Sequence, residues 1–168
     1  SKNGKFILFH GDLRVADNIK AALYLINIFK TLKHPLIIAS SFRNAIVVKK
    51  IKKYNNIEFR EILNKEGLLQ LLDDAHINVL PTFQKTGIKL KLIKTLFNGR
   101  HIVVTREMIE DTSLEPLCEV ADNKCQFEEK INILIHKDFN EDLTKSRIEK
   151  LKVFNVDENA KKIIELLF

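Results

Sequence analysis

Ile77-Asn78-Val79-Leu80-Pro81-Thr82-Phe83-Gln84-Lys85-Thr86-Gly87-Ile88-Lys89-Leu90-Lys91-Leu92-Ile93-Lys94-Thr95-Leu96-Phe97-Asn98-Gly99-Arg100-His101-Ile102-Val103-Val104 contains a complete strand–helix–strand unit. The short run Ile77 to Leu80 reads as a strand, and Pro81 stops it because proline has no N–H for a ladder. Residues 88–98 carry apolar side chains at helical spacing. Gly99 closes them, being free to take the left-handed backbone that ends many helices. His101-Ile102-Val103-Val104 is the next strand. Neither strand alternates apolar with polar, so both are expected to be buried on two faces, as in a parallel sheet covered by helices.

The same alternation extends outward. Phe6-Ile7-Leu8-Phe9, ended by His10-Gly11-Asp12, reads as a buried strand and a turn. A helix over 16–33 follows, with Ile19, Ala22, Leu23, Ile26 and Phe29 at helical spacing and Asp17 and Asn18 as start signals. Leu36-Ile37-Ile38-Ala39 is a second buried strand, followed by a helix over 42–54. Ile57-Glu58-Phe59 is a weaker third strand, and a helix over 66–75 leads back to Ile77. Beyond Val104 a sixth strand is expected within 114–120, then helices over 126–137, 141–152 and 158–168. The fold class is α/β: a Rossmann-like doubly wound parallel sheet of about six strands, spanning 1–168 as one domain. In such sheets ligands bind beyond the carboxyl ends of the strands, where the winding reverses.

Of 168 residues, 45% are hydrophobic and 30% charged, which fits a globular domain with a real core. No apolar run is long enough to span a bilayer, and the start at Ser1-Lys2-Asn3-Gly4, running straight into the first strand, gives the expectation of no signal peptide. The start at Ser1, without an initiator Met, gives the expectation of a piece of a longer chain. Cys118 and Cys125 form neither a zinc motif nor a disulfide framework, and read as reduced thiols. The net charge of +6 favours anionic partners. Two lysine clusters carry much of it: Lys49, Lys50, Lys52 and Lys53, and Lys85, Lys89, Lys91 and Lys94.

Two loops at the carboxyl edge could carry chemistry. In His10-Gly11-Asp12-Leu13-Arg14, Gly11 permits close approach, and the Arg14 guanidinium suits paired hydrogen bonds to phosphate. A plain turn with a solvated arginine is the bland alternative. In the second loop, Thr86 and Gly87 precede a helix whose N-terminus attracts phosphate. On a helical wheel Ile88, Leu90, Leu92, Ile93, Leu96 and Phe97 form one arc, with Lys89 inside it. Lys91, Lys94, Thr95 and Asn98 lie opposite, so a solvated face competes with a binding role there. His76 and His101 read as structural, whereas His10 ends the first strand at the functional edge. Asp73 and Asp74 read as a solvated pair at a helix end. Walker and Gly-x-Gly-x-x-Gly motifs are both missing, and no histidines stand at metal-ligand spacing; no metal is expected.

From Leu71 to Thr105 the sequence resembles the donor-site core of GT-B retaining glycosyltransferases of the group 1 family (family 4). There a strand ends in Pro-Ser or Pro-Thr, a Gly-rich loop opens a helix beginning Ile-(Lys/Arg)-x-Lys, and Gly precedes a Val-Val-Thr strand. The resemblance implies the C-terminal, nucleotide-sugar-binding half of a GT-B fold, with the N-terminal acceptor domain absent. It implies a donor diphosphate held near Gly11, Arg14, Thr86, Gly87, Lys89 and Lys91. More weakly it places the donor ribose or sugar near Lys94 and the nucleotide base near Phe59 and Arg60. It assigns no catalytic residue in this half and no cofactor, the substrate being a GDP- or UDP-linked sugar. A hexosyl group, mannosyl or glucosyl, would pass to a glycan or lipid-linked acceptor held by the other half. The resemblance also implies a cytoplasmic protein, in contact at most with the inner membrane face. One departure stands out: the family often has two Glu residues eight apart, the second five positions before the closing Gly, where this chain has Lys94. No Glu occurs from Pro81 to Gly99. A degenerate GT-B-like scaffold is therefore the main rival. A nucleic-acid-binding module is disfavoured, since Lys49 to Lys53 is not interleaved with stacking aromatics apart from Tyr54 and no RNA-binding motif is present.

Overall fold

A computed structural model describes residues 4, 6–84, 90–110 and 112–152. The six strands β1 (Phe6–His10), β2 (Leu36–Ser40), β3 (Ile57–Glu61), β4 (Ala75–Leu80), β5 (His101–Val104) and β6 (Glu119–Val120) form one sheet. All pairings are parallel, and the order is β3-β2-β1-β4-β5-β6. From β1 the chain builds outward one way through β2 and β3. It then returns and builds the other way through β4, β5 and β6. The reversal falls between β1 and β4, whose carboxyl ends flank the crevice that a doubly wound sheet offers to ligands.

Helices cover both faces, which is why β1, β2, β4 and β5 are buried at every position. On one face α1 (Ala16–Phe29), α2 (Ala45–Ile51) and α6 (Lys124–Leu134) pack Leu25, Phe29, Val47, Ile51 and Phe127 onto Ile7, Phe9, Ile38, Ile77 and Val79. On the other, α3 (Lys65–Asp74) sets Leu71 and Leu72 against Leu8 and Ile37. Beside it α4 (Leu90–Asn98), α5 (Arg106–Ile109) and α7 (Glu141–Leu151) cover Leu80, Ile102 and Val104 through Leu92, Leu96, Met108 and Leu151. Edge strand β3 is more open: only Ile57 is buried, and the four residues after it are partly or fully exposed.

The expected order of elements holds, and the boundaries move for identifiable reasons. Helix α2 begins at Ala45, not 42, because the Asn44 side chain accepts from the N–H groups of Ile46 and Val47. Asn64, Asn123 and Asn140 cap α3, α6 and α7 in the same way. Asp17 and Asn18 do not cap α1; Val15 stands at that position, and both side chains are spent on tertiary bonds. The stretch 114–120 holds a single 3₁₀ turn, Glu115–Leu117, before the two-residue β6. The helix expected over 158–168 lies outside the described residues.

Helix α4 departs most from its wheel. Thr95, expected on the solvated side, is wholly buried, while Leu90 and Phe97 are 66% and 51% exposed. The sheet-facing side is centred on Leu92, Leu96 and Thr95, a rotation that swings Lys91 inward. Gly99 is needed for space and not for a left-handed turn. A Cβ there would come within 2.5 Å of Asn78 Nδ2 and 2.9 Å of the Thr95 carbonyl oxygen. Arg147 of α7 closes this end of α4 by donating to the carbonyls of Gly99 (2.6 Å) and Arg100 (2.7 Å).

Candidate functional site

At the crevice, β1 is followed directly by Gly11, whose N–H donates to the Ala39 carbonyl of β2. The following turn is fixed by the Ser40 hydroxyl, which accepts from Leu13 N–H, and by the Asp12 carbonyl, which accepts from Val15 N–H. Across it comes Lys91 from α4. Its Nζ donates to Asn18 Oδ1 at 2.6 Å, and Asn18 Nδ2 in turn donates to the Asp12 carbonyl at 2.9 Å. A Cβ on Gly11 would lie 2.9 Å from both Lys91 Nζ and the Asn18 amide, so only glycine leaves room for this arrangement. Lys91 Nζ also stands 5.0 Å from the centre of the Phe9 ring.

Burial holds the Lys91 ammonium down to about 8, opposed by the charge of Asp17. An ammonium has three N–H donors, and the one bond to Asn18 leaves donors to spend on an incoming anion.

The wall contributed by β4 and β5 is tied to α1 by a second network. Asp17 accepts from the Thr82 hydroxyl (2.8 Å) and from Phe83 N–H (3.2 Å). Thr82 and Thr105 exchange two bonds: Thr82 N–H donates to Thr105 Oγ1, and Thr105 Oγ1 donates to the Thr82 carbonyl. Tyr24 meets the Phe83 ring edge-on, and Lys20 Nζ lies 4.1 Å from that ring's centre. Together the two networks clamp the crevice along one side.

His10 sits beneath Lys91 and is buried. The Thr95 hydroxyl donates its proton to the Lys91 carbonyl, so the 3.0 Å contact between His10 Nε2 and Thr95 Oγ1 places the imidazole proton on Nε2. Burial, with the charges of Lys91 and Lys94 adding to it, pushes His10 down to about 3. It is therefore a neutral, fixed group at pH 7. His76 and His101 are structural, bonded to the Leu134 and Lys137 carbonyls.

The other sequence candidates divide. Arg14 is engaged locally: its guanidinium makes a two-pronged ion pair with Asp12 (2.7 Å at the shorter contact) and stacks 3.6 Å over Phe42. Lys94 is exposed on α4. Phe59 and Arg60 are adjacent on β3 and so face opposite sides of the sheet. Phe59 lies under Arg43, and Arg60 pairs with Glu58 beside Phe6. They cannot grip one base together. Thr86, Gly87 and Lys89 lie outside the described residues. Asn18, Asp17, Thr82 and Thr105 were missed in the sequence, where Asp17 and Asn18 passed for helix-start signals.

A cavity of about 610 Å³ lies at the opposite, amino edge of the sheet between Gly99, Phe139 and Asn140. Asp73, Glu141 and Asp142 line it beside a single cation, Arg100, which is paired with Asp73, a poor setting for phosphate. Among the described residues no cluster of His, Cys, Asp or Glu could hold a metal ion. Cys118 is an inert thiol, pushed by burial up to about 12.

A family model described as glycosyl transferases group 1 matches residues 4–137. The chain belongs to this family. The matched span runs from β1 through β6 and α6, so it includes both networks at the crevice. No curated protein matches the chain in sequence. Among solved structures, a UDP-forming α,α-trehalose-phosphate synthase from Burkholderia xenovorans superposes with a TM-score of 0.74 at 8% identity, over 98% of this chain and 44% of that one. TarM gives 0.73 at 15% identity, with 98% and 35% covered. AviGT4, a glycosyltransferase involved in avilamycin A biosynthesis, gives 0.68 at 16%, with 98% and 51% covered. Identities so low speak for the fold alone. The chain spans about half or less of each of these structures, and as a group 1 glycosyltransferase domain it is a Rossmann-like unit of the GT-B kind.

Proposed function

We propose that the chain is the donor-binding, C-terminal half of a retaining GT-B glycosyltransferase, holding a GDP- or UDP-linked hexose by its diphosphate. The observation that carries this is the Lys91 ammonium, drawn in against Gly11 at the point where the sheet reverses and bonded, among the described residues, to Asn18 alone. Family membership supports the reading. As the bond from sugar to phosphate breaks, negative charge builds on the leaving diphosphate, and a preformed ammonium in a half-buried site stabilises it most at that moment. Thr86, Gly87 and Lys89 would supply the remaining phosphate contacts, and Arg14 could join them by leaving Asp12. The hexosyl group, mannosyl or glucosyl, would go to a glycan or lipid-linked acceptor held by a second Rossmann-like half, in the cytoplasm. Without that half the chain should bind nucleotide weakly and turn nothing over.

Titration calorimetry with UDP and GDP tests the reading. Heat with either nucleotide, reduced at least tenfold in affinity by Lys91→Ala, is expected, since a hydrogen bond to a charged group contributes about 1.5–3 kcal/mol. No binding of either nucleotide, even with the acceptor half supplied, sinks it. Lys94 favours a second reading, because an exposed cation stands where the family commonly has a sugar-contacting carboxylate. A scaffold of this kind would bind no nucleotide, so the same titration separates the two.

A further inference from the structure

The surplus positive charge is not spread over the molecule. Residues 41–60 contain six cations, Arg43, Lys49, Lys50, Lys52, Lys53 and Arg60, against the single carboxylate of Glu58. That segment carries a local +5; a second basic segment, residues 85–106, includes Lys91 at the crevice, and the rest of the chain is net negative. Helix α2 organises it. Val47 and Ile51 face the core, so Ala45, Ile46, Lys49, Lys50 and Lys52 face out. The helix has α1 as its neighbour on one side and stands at the β3 end of the sheet. Its outer face holds a cavity of about 370 Å³ whose walls are Arg43, Lys49 and Lys52 and whose floor is the aliphatic Ala45 and Val48. Among the described residues no carboxylate pairs with Lys49, Lys50, Lys52 or Lys53. Ile46 stands beside them, 66% exposed.

We propose that this outer face of α2 docks onto an anionic lipid bilayer, with acidic headgroups in the Arg43–Lys49–Lys52 cavity and Ile46 entering the interface. Lysines surrounding an exposed aliphatic side chain suit a charged surface with an apolar interior. Nucleic acid is the poorer fit, because the nearby rings are occupied: Phe42 lies under Arg14, Phe59 under Arg43, and Tyr54 packs against the core. A second copy would bring like charges together. Helix α2 starts at the carboxyl edge of β2, beside the crevice at Gly11. Docking on this face therefore sets the crevice next to the bilayer, where a lipid-linked acceptor would lie.

Co-sedimentation of the chain with vesicles tests the proposal, comparing phosphatidylcholine alone with an equal mixture of phosphatidylcholine and phosphatidylglycerol. Binding is expected to the mixed vesicles only, to weaken with salt, and to drop about fivefold for each of Lys49→Gln and Lys52→Gln. Ile46→Ser should weaken it further at unchanged charge. All three side chains are exposed, and thermal melts should confirm intact folding. Reversal on the opposite helical layer, Lys65→Glu with Lys150→Glu, should leave more binding than Lys49→Glu with Lys52→Glu. Equal losses would mean that net charge alone acts, and the proposal fails. It fails as well if neutral vesicles bind equally, or if the α2 variants lose RNA binding or self-association while vesicle binding is absent. Nucleotide affinity should not change in any α2 variant, so this test and that of the donor site fail independently.

Discussion

Lys91 illustrates how a single side chain can trade stability for binding. Drawing an ammonium out of water lowers its affinity for a proton, and the bond to Asn18 offsets only part of that cost. Two consequences follow for measurement. Lys91→Met should raise the melting temperature by a few degrees, the gain from removing a desolvated charge being about 1 kcal/mol after allowance for partial exposure. Nucleotide affinity should be steady near neutral pH and fall as pH rises through about 8, where the free ammonium loses its proton. Calorimetry at about pH 7 and about pH 9.5 checks this, and Lys91→Ala should be flat. His10 sets a different dependence. Its folded value of about 3 lies below the unfolded 6.5, so the unfolded chain binds the extra proton between them. The stability that neutral His10 gives is complete above 6.5 and is lost as pH falls toward 3, by at most about 1.4 kcal/mol per unit. Urea melts of wild type and His10→Gln at pH 7 and about pH 4.5 should diverge accordingly.

At the scale of elements, the strands were readable because burial on both faces leaves unbroken apolar runs such as Phe6-Ile7-Leu8-Phe9. The resemblance led to Lys91, and periodicity then misplaced it. An apolar wheel puts Leu90 and Phe97 in the core, whereas the close approach of Gly99 to Asn78 and the bond from His10 to Thr95 turn α4 the other way. Both contacts join residues far apart in sequence, and no local pattern encodes them. Asp17 and Asn18 were hidden for the same reason, their partners Thr82 and Lys91 lying 65 and 73 residues away. Gly99→Ala should therefore cost about 2 kcal/mol or more, well beyond the few tenths typical of a helix end, with the midpoint of a denaturant melt as the readout. Asn64→Ala, which removes one cap from exposed α3, should cost only about 1 kcal/mol.

For the whole molecule, the winding order decides where ligands can sit, and the charge pattern decides which way the molecule can face. The sheet's two wings, β1 to β3 and β4 to β6, meet at one pairing, that of β1 with β4. Above that seam they are joined by side chains of α1, through Asp17 to Thr82 and Asn18 to Lys91. Asp17→Asn should loosen the join, weakening nucleotide binding severalfold while costing about 1–2 kcal/mol of stability. The Phe83 amide proton, directed at the Asp17 carboxylate across this join, has a use of its own. A proton held against an anion resonates downfield of other amides and moves when the geometry shifts by tenths of an ångström. One peak in a nitrogen-15 spectrum of the unmodified protein would thus act as a built-in gauge of the crevice, reporting occupancy by any compound without labelled ligand or enzymatic turnover.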